Sequence, residues 1–189
     1  MNVIVFASRK GGSGKSTLAA HLAAHVHKVT KPCLLVDADP QGSLTLWHKL
    51  RGTNEPTIKT AVNSVSGIVA AAKRDGFEWV FIDTPPNLSA VVDDAIKNAT
   101  MVIIPARPGV FDVNAVQETI QTCRAARKPY AVVINGAPAR RDEGLRVACE
   151  RPHRRRALAH RERGRDAVRS CDVAEPLDRV HRVTRPERR

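Results

Sequence analysis

The 189-residue sequence has no run of eighteen or more apolar residues, which excludes a hydrophobic helix able to span a bilayer. No basic stretch followed by an apolar segment precedes the first strand-like run, so a secretory signal peptide is not expected. Its four cysteines (Cys33, Cys123, Cys149, Cys171) lie far apart, with no C-x-x-C pair. That spacing suits a reduced, cytosolic chain better than a disulfide framework. Tyrosine occurs once, at Tyr130. From 146 to 189 the scarcity deepens, with no Lys, Ile, Phe, Trp, Tyr, Met, Asn or Gln.

Positive charge, by contrast, is abundant. The net charge of +12 points towards an acidic partner such as nucleic acid. It is unevenly placed, because residues 146–189 hold 14 Arg against 7 acidic residues, a net of +7, which leaves +5 for the first 145. A length of 189 residues suits one domain with a substantial core.

The stretch Ser8-Arg9-Lys10-Gly11-Gly12-Ser13-Gly14-Lys15-Ser16-Thr17 follows the apolar run Val3–Ala7 and precedes Leu18–Ala24. The order is strand, glycine loop, helix. Glycines let backbone N–H groups converge on an anion, the helix N-terminus adds its positive end, and Lys15 adds a full charge. Ser16 carries the hydroxyl usually found on Mg²⁺ in such loops. In the common G-x-x-x-x-G-K-[ST] pattern, position 9 would be glycine. Here it is Arg9, with a second lysine, Lys10, at the loop entrance. A turn that merely joins strand to helix is the bland alternative, and the flanking pattern argues against it.

Further along, helical character runs from Lys15 to about Lys28, where Thr30-Lys31-Pro32 breaks it. Apolar runs at Cys33–Val36, Trp79–Ile82, Met101–Ile104 and Tyr130–Ile134 read as buried strands, the third of them stopped by Pro105. Helices are expected with Ser43 as cap and continuing through Leu50, over Ser66–Arg74, over Ser89–Ala99 and over Val110–Ala126; Thr53–Thr60 reads as a loop with at most a short strand. Strands alternating with helices imply an α/β fold, a mostly parallel sheet covered on both faces. Ligands then gather at the strands' carboxyl ends, where the loop, Asp37, Asp39, Asp83, Pro105 and Asn135 should all lie.

A nucleoside triphosphate site needs Mg²⁺ and a group that places the attacking water. Asp83, after four apolar residues, suits the Walker B role, holding the metal directly or through water. Asp37 and Asp39 share another strand end, so one of them can orient the nucleophile; helix capping is the alternative for each. His21, His25 and His27 lie on the first helix without a third ligand at metal spacing, and read as surface residues. Cys33 and Cys123 read as small core residues.

These segments resemble the ParA/MinD superfamily of deviant Walker A ATPases, and within it the small plasmid-partition ParA (ParF-like) type. The resemblance rests on Lys10–Thr17, Asp37–Trp47, Asp83-Thr-Pro-Pro86, Ile104–Pro108 and Val133-Ile-Asn135, and covers residues 1 to about 143. It implies a P-loop NTPase that binds ATP and Mg²⁺ and forms an ATP-bound homodimer. In it Lys10 would reach the partner's phosphates, as an arginine finger does. Lys15 would hold the β- and γ-phosphates within a cradle of Gly11, Gly12, Ser13 and Gly14. Ser16 would sit on Mg²⁺, with Asp83 and, as a candidate, Asp37 also at the metal. Thr17 would lie near the α-phosphate, Asp39 would orient the attacking water, and Asn135 would contact the adenine. The resemblance further implies non-specific DNA binding, a centromere-binding adaptor that stimulates hydrolysis, a nucleoid-associated cytoplasmic location, and positioning of cargo such as a plasmid. No cluster cysteines lie between Cys33 and Cys123, the tail has no apolar stripe for a membrane helix, and tyrosines are not clustered. These absences set aside the iron-protein, MinD and tyrosine-kinase branches.

Beyond Gly144 the family expects a further helix, an apolar strand, an I-x-x-R-x-x-F segment and closing helices. The chain reads instead as an ATPase domain over 1–145 lacking the usual last strand and closing helices, followed by an Arg-rich, poorly ordered tail over 146–189. The tail's vocabulary is what GC-rich codons give out of frame, which suggests a frameshift near 143–150. A purposeful arginine arm on phosphate backbones and a zinc site using Cys149, His153 and Cys171 are its rivals. Besides a partition ATPase, a nucleotide-binding remnant without useful turnover and a basic DNA-binding protein acting through the tail remain open.

Overall fold

The computed structural model describes residues 1–136, apart from 62, 63, 88 and 109, together with two short stretches, 146–150 and 181–182. Six parallel strands form its centre: β1 (Asn2–Phe6), β2 (Cys33–Asp37), β3 (Thr57–Thr60), β4 (Trp79–Asp83), β5 (Met101–Ala106) and β6 (Tyr130–Ile134). They are joined by α1 (Lys15–Val26), α2 (Ser43–Leu50), α3 (Ser66–Arg74), α4 (Ala90–Asn98) and α5 (Val110–Ala125). The sheet order is β3-β2-β4-β1-β5-β6, continued by β7 (Arg146–Glu150) and β8 (His181–Arg182), both antiparallel.

Both faces are covered, as near-continuously apolar strands require. One face packs Ile4, Phe6, Leu35 and Phe81 against Ala19, Ala20 and Ala23 of α1 and Leu44 of α2. The other packs Val3, Val5, Val36, Val80, Ile82 and Ile104 against Val69 of α3, Val92 and Ile96 of α4 and Cys123 of α5. Small alanines on α1 let that helix lie close to Phe6 and Phe81, whose rings stack at 6.2 Å. Burial pushes the Cys33 and Cys123 thiols up to about 12 and about 11, in keeping with core residues.

Two local expectations need correcting. Pro105 does not stop β5, which runs on to Ala106. Ile103 turns its carbonyl to Ala7 N–H on the β1 side, whereas Ala106 accepts from Asn135 on the β6 side. By strand alternation the imide nitrogen of Pro105 faces the β1 side, two residues beyond the last β1–β5 pair, Phe6↔Ile103, so no ladder bond is lost. Ser43 is not the cap of α2: Gly42 holds that position in a left-handed conformation, with no side-chain cap bond. Thr57–Thr60 forms the short strand that the 53–60 stretch allowed, at the sheet edge beside β2.

Past Ile134 the sheet gains β7, paired with β6 from Val133↔Val147 to Tyr130↔Glu150. The first five residues of the Arg-rich tail are thus strand. The expectation of poor order concerns the rest of 146–189, which lies outside the described residues save for the short β8.

Candidate functional site

The register brings the carboxyl ends of the central strands to one level: Phe6 pairs with Asp83, and Asp83 with Asp37. Thr84 Oγ1 donates to Phe6 O at 2.8 Å, and Ala38 N–H to Asp83 O at 2.9 Å. Sequence β1 lies between β4 and β5, so the chain runs outward on either side of it. The glycine loop leaves β1 at this switch point, where open α/β sheets bind ligands.

In the loop, Gly14 caps α1 at φ 102° and Gly12 lies at φ 70°. A Cβ on Gly11 would meet nothing within 4 Å. Ser13 is buried, and its hydroxyl has no hydrogen-bond partner among the described residues. Lys15 is 6 % exposed, and its Nζ donates to the carbonyls of Ser8 at 3.3 Å and Lys10 at 3.5 Å. Burial lowers its pKa, while Asp83 and Asp39 pull it back up. Lys10 N–H donates to Ser8 Oγ at 3.4 Å, and its side chain is half-buried at the loop mouth. Ser16 is half-buried and Thr17 exposed on the first turn of α1.

Asp83 is fully buried, and among the described residues neither carboxylate oxygen accepts a hydrogen bond of good geometry. Burial pushes its carboxyl up to about 7; the Ser16 hydroxyl beside it and the charge of Lys15 offset part of the rise, which Asp37 and Asp39 reinforce. A buried carboxylate without donors is costly unless something else satisfies it. Together with the Ser16 hydroxyl it makes an oxygen set that suits Mg²⁺, which takes one or two protein oxygens, waters and phosphate oxygens. On that chemistry the site fits the metal.

The two acids after β2 behave differently. Asp37 is buried and already used: Oδ2 accepts from Thr45 N–H at 2.8 Å and Thr45 Oγ1 at 2.7 Å, and Oδ1 from Asp39 N–H at 3.3 Å. It ties the first turn of α2 to the strand end, in place of a cap from Ser43. Asp39 is half-buried, and its Oδ1 accepts from Gln41 N–H at 3.0 Å. Its charge reaches both Lys15 and Asp83.

From β6, Asn135 joins the loop itself, its Nδ2 donating to Ser13 O at 2.9 Å. Two residues to which the sequence alone assigned no such contact also meet the loop. Arg107, just after β5, lies with its guanidinium 3.6 Å from where a Cβ on Gly12 would sit. Arg9 forms an ion pair with Glu118 of α5. Both contacts come from elements more than 90 residues away, so no local pattern announces them.

His27 Nε2 lies 2.8 Å from Glu55 Oε2, and His27 Nδ1 faces Cys33 N–H at 3.4 Å. Among the described residues no group of three or more His, Cys, Asp or Glu is placed to hold a metal. None of the described helices is long and apolar enough to cross a membrane. Of the zinc reading, His153 and Cys171 lie outside the described residues.

Comparisons with known proteins bear on the family and the fold. Residues 4–159 match the family model described as the CobQ/CobB/MinD/ParA nucleotide binding domain, past the point near 143 where the sequence resemblance thins. A protein ParA of Rhizobium radiobacter is 35 % identical over 123 residues, 64 % of this chain and 55 % of that protein. The chain therefore spans little more than half of that relative's length. A plasmid partition protein from Borrelia burgdorferi has a similar fold, with a TM-score of 0.62 at 20 % identity, covering 75 % of this chain and 82 % of that one. Cobyrinic acid a,c-diamide synthase from Mycobacterium smegmatis, solved with a bound ATP analog and magnesium, gives a TM-score of 0.53 at 23 % identity over 67 % of this chain and 68 % of that one.

Proposed function

The chain belongs to the CobQ/CobB/MinD/ParA nucleotide-binding family, and from that premise we propose that it is a partition-type ATPase. ATP binds in the loop, the protein dimerises on it, and the dimer holds DNA without sequence preference until an adaptor stimulates hydrolysis. The observation that carries this reading is the meeting of buried Lys15, the Ser16 hydroxyl and the buried Asp83 carboxylate at one strand edge.

In this scheme the N–H groups of Gly11 to Lys15 and the α1 N-terminus take the phosphate oxygens. Lys15 exchanges the Ser8 and Lys10 carbonyls for the β- and γ-phosphates, an exchange of neutral acceptors for charged ones. Ser16 and Asp83 hold Mg²⁺, directly or through water, and Asp37 serves it by fixing the strand end and α2. Bound there, the metal would supply positive charge that offsets the negative charge of the phosphates. Asp39 orients the attacking water, Lys10 reaches the partner's phosphates, and Thr17 stands by the α-phosphate. The likeness to a protein ParA supports a role in positioning cargo, and a nucleoid-associated, cytoplasmic location is part of the same proposal.

Titration of the full chain with Mg²⁺-ATP tests the site. Lys15→Ala should abolish binding, and unchanged affinity in that variant refutes the assignment. Asp39→Ala should keep ATP and lose phosphate release; normal turnover there refutes its role. The tail's vocabulary favours a second reading, a nucleotide-binding remnant with a frameshifted C-terminus. It predicts ATP binding without steady-state phosphate release, even with DNA and an adaptor present.

A further inference from the structure

Arg9 has no part in the chemistry proposed above. It stands where the common loop pattern has glycine, so its side chain is an addition to that pattern. The side chain leaves the loop and pairs with Glu118, midway along α5.

The contacts around it give the pair a task. Lys15 Nζ donates to the carbonyls of Ser8 at 3.3 Å and Lys10 at 3.5 Å, one on each side of Arg9. The loop entrance is thus held from inside by Lys15 and from outside by Glu118. Lys15 gives up the first hold when it turns to the β- and γ-phosphates. The second does not involve Lys15, and neither does the bond from Lys10 N–H to Ser8 Oγ, which at 3.4 Å is long. On its other side Lys10 is followed by Gly11 and Gly12, the latter at φ 70°. Glycine's conformational freedom leaves the direction of Lys10 to be set from its N-terminal side. There Ser8 is buried just after β1, and Arg9 links that fixed strand end to Lys10. A cation that acts on another molecule's phosphates needs its direction held, because a misplacement of about 1 Å can cost about a hundredfold in rate.

We propose that Arg9 and Glu118 form a positioning pair that holds Lys10 once Lys15 has moved to the triphosphate. This rests on the loop being an ATP site and on Lys10 acting on a second copy of the chain. The pair should therefore matter with nucleotide bound and little without it. Both side chains keep access to solvent, 39 % and 46 %, so its worth is a few-fold.

Amide order parameters of Lys10 and Gly11 are measured by NMR relaxation on the full chain, wild type and Glu118→Gln. Each is taken with and without Mg²⁺ and a non-hydrolysable ATP analogue. Without the analogue the two proteins should match, because Lys15 still holds both carbonyls. With it, wild type should stay near about 0.85 and Glu118→Gln should fall towards about 0.6. Loosening in both states means that α5 supports the loop generally, and loosening in neither means that the pair holds nothing; either overturns the proposal. These order parameters decide even in a chain without turnover. Steady-state phosphate release with duplex DNA present should fall about two- to fivefold in Glu118→Gln and in Arg9→Gln, with Mg²⁺-ATP affinity by calorimetry unchanged. The double variant should lose no more than either single one, and Arg9→Lys, which keeps the charge, should retain most of the turnover. Losses that add, or a loss that falls on ATP affinity instead, overturn the pair. Nucleotide-dependent loosening beside normal turnover refutes the role of Lys10 on the second copy. A wild type that does not bind the analogue refutes the nucleotide site itself.

Discussion

Asp83 shows most directly how a functional group sits at odds with its surroundings. A carboxyl that is fully buried, raised to about 7 and offset only in part by the Ser16 hydroxyl and the charge of Lys15 works against the fold that holds it. Burying one charge costs several kcal/mol even after relaxation. Asp83→Asn keeps the shape and removes the charge, so it should raise the melting midpoint of the ligand-free protein. A gain of 1 kcal/mol corresponds to about 2–4 °C for a chain of this size. The same variant should lose Mg²⁺-dependent ATP binding. An unchanged or lowered midpoint by differential scanning calorimetry means the carboxylate is satisfied in solution and the account of its burial is wrong. The residue was legible in sequence because an acid after four apolar residues at a strand end is a local pattern. Arg107 and the Arg9–Glu118 pair were not, because their partners are set only when β5 and α5 are folded beside the loop.

Elements depend on such distant partners as well. The N-terminus of α3 has no cap from its own sequence neighbour, Val65. Asp94 of α4 supplies one instead: its Oδ2 accepts from Ser64 Oγ at 2.7 Å and from the N–H groups of Val65 and Ser66 at 2.8 and 3.1 Å. Burial alone would raise the Asp94 pKa, but these donors and the Asn98 amide outweigh it and hold the carboxyl below its ordinary value. A carboxyl depressed in the folded state stabilises above its unfolded pKa, and that stability is lost as pH falls through the folded value. Asp94→Ala should therefore cost about 1 kcal/mol at pH 7, the usual worth of a cap. Its difference from wild type should vanish in acid below the ordinary carboxylate range. A difference that persists there means packing, not the charge-assisted cap, holds α3 to α4. The helices themselves were readable because their apolar positions repeat at helical spacing. Thr57–Thr60 was readable only as a loop with at most a short strand, since an exposed edge strand carries no apolar alternation, and β5 outran Pro105 because only tertiary pairing shows which side of the strand needs no donor.

At the scale of the whole molecule, two proposed sources of DNA affinity have to be separated. One is proposed for the ATP-bound dimer. The other follows from charge alone, since residues 151–189 contain 13 Arg against 6 acidic residues. Arginines neutralise phosphates and release counterions whatever reading frame produced them. Full-length protein should thus bind duplex DNA without nucleotide, and that binding should fall steeply between about 50 and 200 mM salt. A chain ending at Glu150 retains β7 and its ladder to β6. It should lose most of the nucleotide-independent binding and flatten the salt slope, while any binding that appears only with Mg²⁺-ATP survives. Fluorescence anisotropy with and without ATP across that salt range separates the two. Undiminished binding by the shortened chain without nucleotide places the contact in the body, and excludes the tail as a DNA arm. Loss of the ATP-dependent component alone would instead make the tail part of what closes the dimer, and would weigh against a frameshift as its origin.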